Sequence, residues 1–190
     1  MKHNNSPAHP RVLSRRGFLK ASAVVLAVGL SGKAFATVPA TLAPERKLAF
    51  YNIHTGEKLN AVYWADGAYQ ADELTGIYHL LRDYRSGDVS PINAGLLDLL
   101  HTLSASLGTN EPFHVISGYR SPATNAMLAE KGGGVAKHSL HMEGLAIDIR
   151  VPGRELADVR RAALALASGG VGYYPSSDFV HVDVGRMRQW

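Results

Sequence analysis

Two short segments, LAIDIR (145–150) and FVHVDV (179–184), alternate apolar and polar residues along the chain. A β-strand turns successive side chains to opposite faces of a sheet, so each segment has one apolar face and one polar face. Ile147 and Val182 lie on the apolar faces, whereas Asp148 and His181 lie on the polar faces. The alternation therefore predicts two strands of a sheet that is covered on one face and open on the other.

Three further segments favour strands. Residues 47–64 alternate on both sides of a Thr-Gly-Glu turn, as a β-hairpin does, and residues 112–120 and 171–174 are short apolar and aromatic runs. Since short turns join neighbouring antiparallel strands, we expect the sheet to be small and mostly antiparallel.

Helices are predicted between these strands, over residues 72–87, 90–108, 121–131 and 153–167. The first is expected to end at Gly87. The second begins with Ser90 as N-cap and Pro91 at the first helical position, carries five leucines at helical spacing and ends at Gly108. Helices beside a mostly antiparallel sheet predict an α+β fold, with the helices packed on one face of the sheet.

Charge is distributed unevenly along the 190 residues. The formal net charge of +4 would suit a nucleic-acid-binding protein. However, six of the 20 Lys and Arg residues lie in the first 36 residues, which contain no Asp or Glu, and 14 basic against 16 acidic residues follow. The folded domain is therefore not basic overall, and nucleic acid is not an expected partner.

An export signal explains the basic N-terminal region better than a disordered basic arm does. SRRGFLK (14–20) precedes an apolar run, and AFA (34–36) places small residues at a cleavage position. The apolar run is shorter than the about 20 residues that span a bilayer. The region resembles a twin-arginine leader, which implies export in the folded state to the periplasm.

This interpretation divides the chain into a leader over residues 1–36, a linker over 37–46 and one domain over 47–190, with no stable membrane span after leader removal. The chain contains no cysteine, which excludes disulfides, thiol ligands and thiol nucleophiles. We expect the domain to be a monomer.

The open face of the sheet carries a candidate metal site. Neighbouring strands lie about 4.8 Å apart, so Asp148 and His181 come within reach of one ion, and His141 enters from the loop before the first strand. Two imidazoles and one carboxylate suit Zn²⁺ with a fourth position open to water. Taken singly, such residues are more often structural or solvent-facing.

Three motifs resemble the zinc D-alanyl-D-alanine peptidase family, which includes VanX-type dipeptidases and phage endolysins. SLHMEGLAID (139–148) matches the Ser-x-His-x-x-Gly-x-Ala-x-Asp signature, and DFVHVD (178–183) matches the second motif. SGYRSPATN (117–125) and the leader are similar to an exported subgroup of the murein endopeptidase K type. The resemblance covers roughly residues 45–190 and implies a fold like that of DD-peptidases and hedgehog domains.

By position, the resemblance implies that His141, Asp148 and His181 hold zinc, that Asp178 is the general base and that Arg120 faces the substrate carbonyl. It also implies that the substrate is the cross-linked stem peptide of peptidoglycan. Whether the cut bond joins D-alanine to diaminopimelate or one diaminopimelate to another stays open.

Several residues compete for these roles. His138 is an alternative ligand, a substrate contact or a partner of a ligand, and Asp183 is either a ligand or a hydrogen-bond acceptor that orients an imidazole. Ser117 and Tyr119 are further candidates for contacts to a ligand residue or the substrate.

Two other classes of protein compete with the metallopeptidase. A serine acyltransferase is disfavoured because neither Ser-x-x-Lys nor Gly-x-Ser-x-Gly occurs. A zinc-containing module that binds peptidoglycan without cutting it remains the non-enzymatic alternative, and the presence of Asp178 and Arg120 favours catalysis.

Overall fold

A computed structural model describes Met1, residues 44–132 and residues 135–190. The strands are β1 (Arg46–Asn52), β2 (Lys58–Ala65), β3 (Ala68–Tyr69), β4 (Phe113–Ser117), β5 (Ala146–Arg150), β6 (Gly170–Tyr174), β7 (Phe179–Asp183) and β8 (Arg188–Gln189). The helices are α1 (Ala71–Leu80), α2 (Ala94–Leu107), α3 (Pro122–Glu130) and α4 (Leu156–Ala165). Short 3₁₀ turns cover Leu140–Glu143 and Pro175–Ser177.

The eight described strands form one open sheet in the order β3-β2-β1-β4-β5-β7-β6-β8. Five neighbouring pairs are antiparallel, and only β1 with β4 and β6 with β8 are parallel. The predicted α+β fold with a mostly antiparallel sheet is confirmed. The predicted hairpin is present as β1 and β2, in which Phe50 pairs with Leu59.

One face of the sheet forms the core. Ile147 and Ile149 of β5 and Val180 and Val182 of β7 are almost fully buried, as the alternation predicted. Helix α2 contributes further buried side chains, namely Leu96, Leu97, Leu99, Leu100 and Leu103. Burial of this apolar surface fixes the register, because a slip by one residue would turn Asp148 and His181 into the core.

Helix α2 begins at Ala94, three residues later than the predicted first helical position. Asn93, not Ser90, is the N-cap, and its side chain accepts a hydrogen bond from the backbone of Gly95. The preceding segment is held against another part of the chain: Asn93 N donates to Gly144 O at 2.9 Å. A Cβ on Gly144 would lie 2.2 Å from Pro91 O, so the segment before α2 packs closely against the turn before β5. The helix ends at Gly108 in the left-handed region (φ 59°), as predicted.

Helix α1 ends at Leu80 and does not reach Gly87. The carbonyl oxygens at its end are taken by groups from elsewhere: Asn52 Nδ2 donates to Leu80 O at 3.0 Å, and Tyr119 N donates to Leu81 O at 2.7 Å. These tertiary hydrogen bonds satisfy the terminal carbonyls and stop the helix before its sequence signal.

None of the helices in the described part of the chain is long and apolar enough to cross a membrane. The predicted leader lies outside the described residues apart from Met1, so the division into leader, linker and domain stays a prediction.

Candidate metal centre

Strands β5 and β7 place two of the predicted ligands side by side. Asp148 and His181 are direct partners in the antiparallel register, and both project from the face opposite the apolar core. His141 approaches from the 3₁₀ turn that precedes β5. This turn ends at Gly144 with φ 65°, a conformation that favours glycine.

The three side chains meet at one point. His141 Nε2 lies 3.2 Å from His181 Nδ1 and 3.3 Å from Asp148 Oδ1. His181 Nδ1 lies 2.8 Å from the same carboxylate oxygen. All three residues are buried, and they are the group that could hold a metal ion in the described part of the chain.

In each imidazole, the partner of the outer nitrogen shows which ring nitrogen carries the hydrogen. His141 Nδ1 lies 2.7 Å from the carbonyl oxygen of Gly118, which can only accept, so Nδ1 carries the hydrogen. His181 Nε2 lies 3.0 Å from Asp183 Oδ2 and donates to it in the same way. In the neutral rings, the inner nitrogens therefore present lone pairs to each other and to Asp148.

Three lone-pair donors around one point leave a place for a cation. Tetrahedral zinc with bonds of about 2.0–2.1 Å would separate its ligand atoms by about 3.3 Å, close to two of the three separations here. Burial opposes ionisation of Asp148, but His141 and His181 hold the pKa of its carboxyl well below the usual range. The carboxylate is thus in the form that binds a metal, and the residues fit zinc.

Asp183 and Arg188 form a support behind His181. Asp183 is fully buried, and its Oδ1 accepts hydrogen bonds from the backbone of Gly170 and Gly185. Arg188 donates to both carboxylate oxygens, at 3.1 and 2.7 Å. Although burial disfavours its charge, these donors and His181 lower the pKa of Asp183 well below the usual range. Asp183 is thus placed to orient His181, and it does not join the cluster itself.

Arg120 lies on the other side of Asp148. Its Nη2 is 3.7 Å from Asp148 Oδ2, and it makes two long hydrogen bonds of 3.4 Å, to Ser117 Oγ and Asn125 Oδ1. Its buried Nε has no hydrogen-bond partner among the described residues. Burial lowers the pKa of Arg120, but a guanidinium stays charged at neutral pH. Arg120 therefore has unused capacity to bind a negatively charged group.

A cavity of about 360 Å³ opens above the cluster and is lined by Arg120 and the three predicted ligands. Tyr174, Phe179 and Trp190 form an aromatic wall: Tyr174 stacks on Phe179 at 4.5 Å and accepts a hydrogen bond from Trp190 Nε1 at 2.6 Å.

The three remaining alternative candidates, His138, Tyr119 and Ser117, are placed differently relative to this cavity. His138 lines it but is not part of the His–Asp–His group, whereas Tyr119 is packed against the hydrophobic core and does not line it. Ser117 pairs with Asp148 in the sheet and contacts Arg120.

Asp178 is the predicted residue that the structure does not bring to the cluster. It follows the second 3₁₀ turn with φ 53°, its side chain is 62% exposed, and it does not line the cavity. Its Oδ2 accepts a hydrogen bond from Arg150 Nη1 at 2.8 Å. Its role as general base stays a prediction that requires the carboxylate to turn from Arg150 towards the substrate.

Sequence reasoning did not identify Arg188 or Asn125. Arg188 reaches the site because the short strand β8 runs parallel to β6, and a strand of two residues leaves no periodic signal. Asn125 lies four residues after the Ser121 cap, within a motif already noted, but no pattern in that motif indicates that its amide contacts Arg120.

The chain is similar to several known proteins. The family model described as peptidoglycan L,D-endopeptidase MepK matches residues 40–190. Peptidoglycan L,D-endopeptidase MepK of Escherichia coli K12 is 43% identical over 178 residues, which cover 93% of this chain and 97% of the relative. The probable peptidoglycan L,D-endopeptidase MepK of Haemophilus influenzae is 36% identical over 93% of this chain and 95% of the relative.

Together, the fold, the cluster and these similarities define a peptidoglycan peptidase. The chain belongs to the peptidoglycan L,D-endopeptidase MepK family. The expected resemblance to the murein endopeptidase K type of zinc peptidase is thereby confirmed.

Proposed function

We propose that this protein is a zinc-dependent L,D-endopeptidase that hydrolyses the bond between two diaminopimelate residues in peptidoglycan cross-links. The observation that carries the zinc assignment is the convergence of His141 Nε2, Asp148 Oδ1 and His181 Nδ1 within 3.3 Å of one another. The choice of the L,D bond rests on the relatives, which are named for that activity.

His141, Asp148 and His181 would hold the ion. When bound, zinc supplies a Lewis acid that polarises a carbonyl and lowers the pKa of water to about 7. The hydrogen bonds to Gly118 O and Asp183 keep both imidazoles in the tautomer that presents a lone pair.

Arg120 would bind the carbonyl oxygen of the scissile amide as negative charge develops on it. Its guanidinium is held beside the cavity, with an unpartnered Nε among the described residues and long contacts elsewhere, so little is lost when it turns to the substrate. Removing a comparable donor from an acyl-transfer site costs about 3–4 kcal/mol of transition-state stabilisation.

Asp178 is proposed to accept the proton of the attacking water at a carboxylate oxygen and to pass it to the leaving amine. To do so, its carboxylate must leave the ion pair with Arg150 and turn into the cavity. Its exposed position on a turn next to Phe179, which lines the cavity, makes this exchange feasible.

Export by the twin-arginine pathway to the periplasm, as a monomer, completes the proposal. The leader features of residues 1–36 support it, and peptidoglycan lies in that compartment.

The position of Asp178 is also the observation that favours a second candidate function, a zinc-containing module that binds peptidoglycan without cutting it. A carboxylate that stays paired with Arg150 cannot serve as a base, whereas the cavity and Arg120 would still bind a peptide.

Digestion of purified sacculi by the mature protein separates the two functions. We expect the release of monomers from diaminopimelate–diaminopimelate cross-links, its loss with a chelator and its return with added zinc, each measured by mass spectrometry of muropeptides. Stoichiometric zinc and retention on sacculi without any cleaved product would instead support the binding module.

A further inference from the structure

A second, larger cavity of about 610 Å³ lies beside the metal centre. One side of helix α3 forms its floor through residues at helical spacing, namely Pro122, Asn125, Ala126 and Ala129. Met142 also lines this cavity. Its volume is in the range of ordinary ligand sites, about 300–1,000 Å³.

The two cavities are neighbours. His138 lines both, Ala136 lines the first, and Lys137 lines the second. Asn125 is buried and fixes this segment, because its Nδ2 donates to Ala136 O at 3.0 Å and to Lys137 O at 3.2 Å. The same side chain accepts from Arg120, so the segment between the cavities is tied to the cation beside the cluster.

Two opposite charges border the second cavity. Glu130, at the end of α3, and Lys137 both line it, and neither forms an ion pair within the residues the structure describes. Both are exposed, so they are available to a ligand. A carboxylate and an ammonium beside one cavity suit a ligand that carries an amine and a carboxylate close together.

We propose that this second cavity is a specificity subsite for an amino-acid zwitterion at the end of a side chain. Glu130 binds its ammonium, Lys137 binds its carboxylate, and α3 packs against the aliphatic stem. This subsite rests on the proposed function. In that function, the residue on the acyl side of the scissile bond lies at the metal centre, and its side chain is directed past His138.

Such a subsite would distinguish L,D from D,D cross-links, because the two differ on the acyl side of the bond. In an L,D cross-link the acyl side is a diaminopimelate residue, whose side chain ends in a free ammonium and a free carboxylate. In a D,D cross-link the acyl side is D-alanine, whose side chain is a methyl group. The amine side of both bonds is the same, so only recognition on the acyl side distinguishes them.

The test uses Glu130→Gln and Lys137→Gln, with Glu155→Gln and Lys131→Gln as matched controls. Both control positions are exposed and do not line the second cavity. Cleavage of a soluble L,D-cross-linked peptide dimer is measured with each variant. We expect each subsite substitution to raise KM about tenfold with little change in kcat, because one charge-assisted hydrogen bond is lost. The controls should behave as the wild type.

A binding measurement keeps the test independent of catalysis. The stem tripeptide that ends in diaminopimelate is titrated into each variant by calorimetry in the presence of a chelator. Acetylation of the free side-chain amine should weaken binding to the wild type about tenfold but should not weaken binding to Glu130→Gln further. Amidation of the free side-chain carboxylate should show the same pattern with Lys137→Gln.

The outcomes separate the two proposals. If the wild type cleaves the L,D dimer while the subsite variants match the controls in KM and tripeptide affinity, the subsite is wrong and the proposed function stands. If the wild type does not cleave the L,D dimer, the proposed function fails, and the tripeptide titrations still decide the subsite. The assignment would also be overturned if each substitution weakened binding of the modified and the unmodified tripeptide by the same factor relative to the wild type.

Discussion

Asp183 accepts a hydrogen bond from His181 Nε2 at 3.0 Å. It lies two residues after His181 on the same strand and is fully buried. Its two carboxylate oxygens face only donors, from His181, Arg188 and the backbone of Gly170 and Gly185. One imidazole of the proposed metal centre is thus oriented by a carboxylate that lies outside the His–Asp–His group.

Replacing Asp183 with Asn should weaken zinc binding. The side-chain amide of Asn replaces one of the two carboxylate oxygens with an NH₂ group, which cannot accept a hydrogen bond. Either His181 Nε2 or the backbone N–H groups of Gly170 and Gly185 therefore lose their acceptor. Because partners of this kind contribute about 10- to 100-fold to metal affinity, we expect a loss of that size in a chelator competition assay. Asp158→Asn, at an exposed ion pair with Arg161, is the control. Wild-type zinc affinity in Asp183→Asn would refute the orienting role.

Substitution of Asp178 tests the proposed general base. Asp178→Asn should retain stoichiometric zinc and lower kcat at least 100-fold, the lower range for a general base. Arg150→Gln, which frees the carboxylate from its ion pair, should retain activity. Zinc content and cleavage of a cross-linked peptide dimer are measured on the same samples. Full activity of Asp178→Asn would remove it from the mechanism.

Gly172→Ala should displace part of the aromatic wall. A Cβ at this position would lie 2.7–2.9 Å from three ring atoms of Trp190, so the indole must move. We expect a shift in Trp190 fluorescence, measured with Trp64→Phe so that one tryptophan remains, and a higher KM. Gly76→Ala is the control, since its Cβ meets only Leu59 at 3.6 Å and the helix should gain about 0.5–1 kcal/mol. An unchanged spectrum in Gly172→Ala would contradict the close packing.

Asp83 should make the fold sensitive to acid. Burial alone would raise the pKa of Asp83, but hydrogen bonds from Thr124, Ser121 and Arg85 lower it from 3.8 to about 2. Because the folded-state pKa is below the unfolded one, the stabilisation is complete above about pH 4 and is lost as the pH falls towards 2. The difference corresponds to about 2 kcal/mol in the free energy of unfolding.

Denaturation of Asp83→Asn between pH 2 and 7 checks this prediction. The variant should be less stable by about 2 kcal/mol at pH 7 and should approach the wild type at low pH. Asp66→Asn, at an exposed turn residue with φ 53°, should have little effect, because Asn tolerates that conformation. A constant difference at all pH values would show that the carboxylate charge is not the cause.

The strands and two members of the His–Asp–His group, Asp148 and His181, were predictable from the sequence because the period of a strand is fixed by geometry. Once Ile147 and Val182 must be buried, Asp148 and His181 must share the opposite face, and only their pairing remained to be established. His141 was added from its position in the loop before the first of these strands, and the family motif favoured it over His138.

The helix ends were less predictable because distant groups decide them. Asn52 and Tyr119 take the carbonyls at the end of α1, and Gly144 holds the chain before α2. The contact of Asp178 with Arg150 depends on a side-chain rotamer at a turn, for which the sequence has no periodic signal.

The parallel pairing of β1 with β4 has a consequence for the order in which the chain folds. Tyr51 and His114 are neighbours in the sheet although α1 and α2 lie between them in the chain, so we expect this pairing to form after the local β1–β2 hairpin. Long-range closure of this kind slows folding and leaves strand edges exposed meanwhile. Under the proposed export in the folded state, this pairing would already be complete at translocation, and the edges of β1 and β4 would be protected from aggregation.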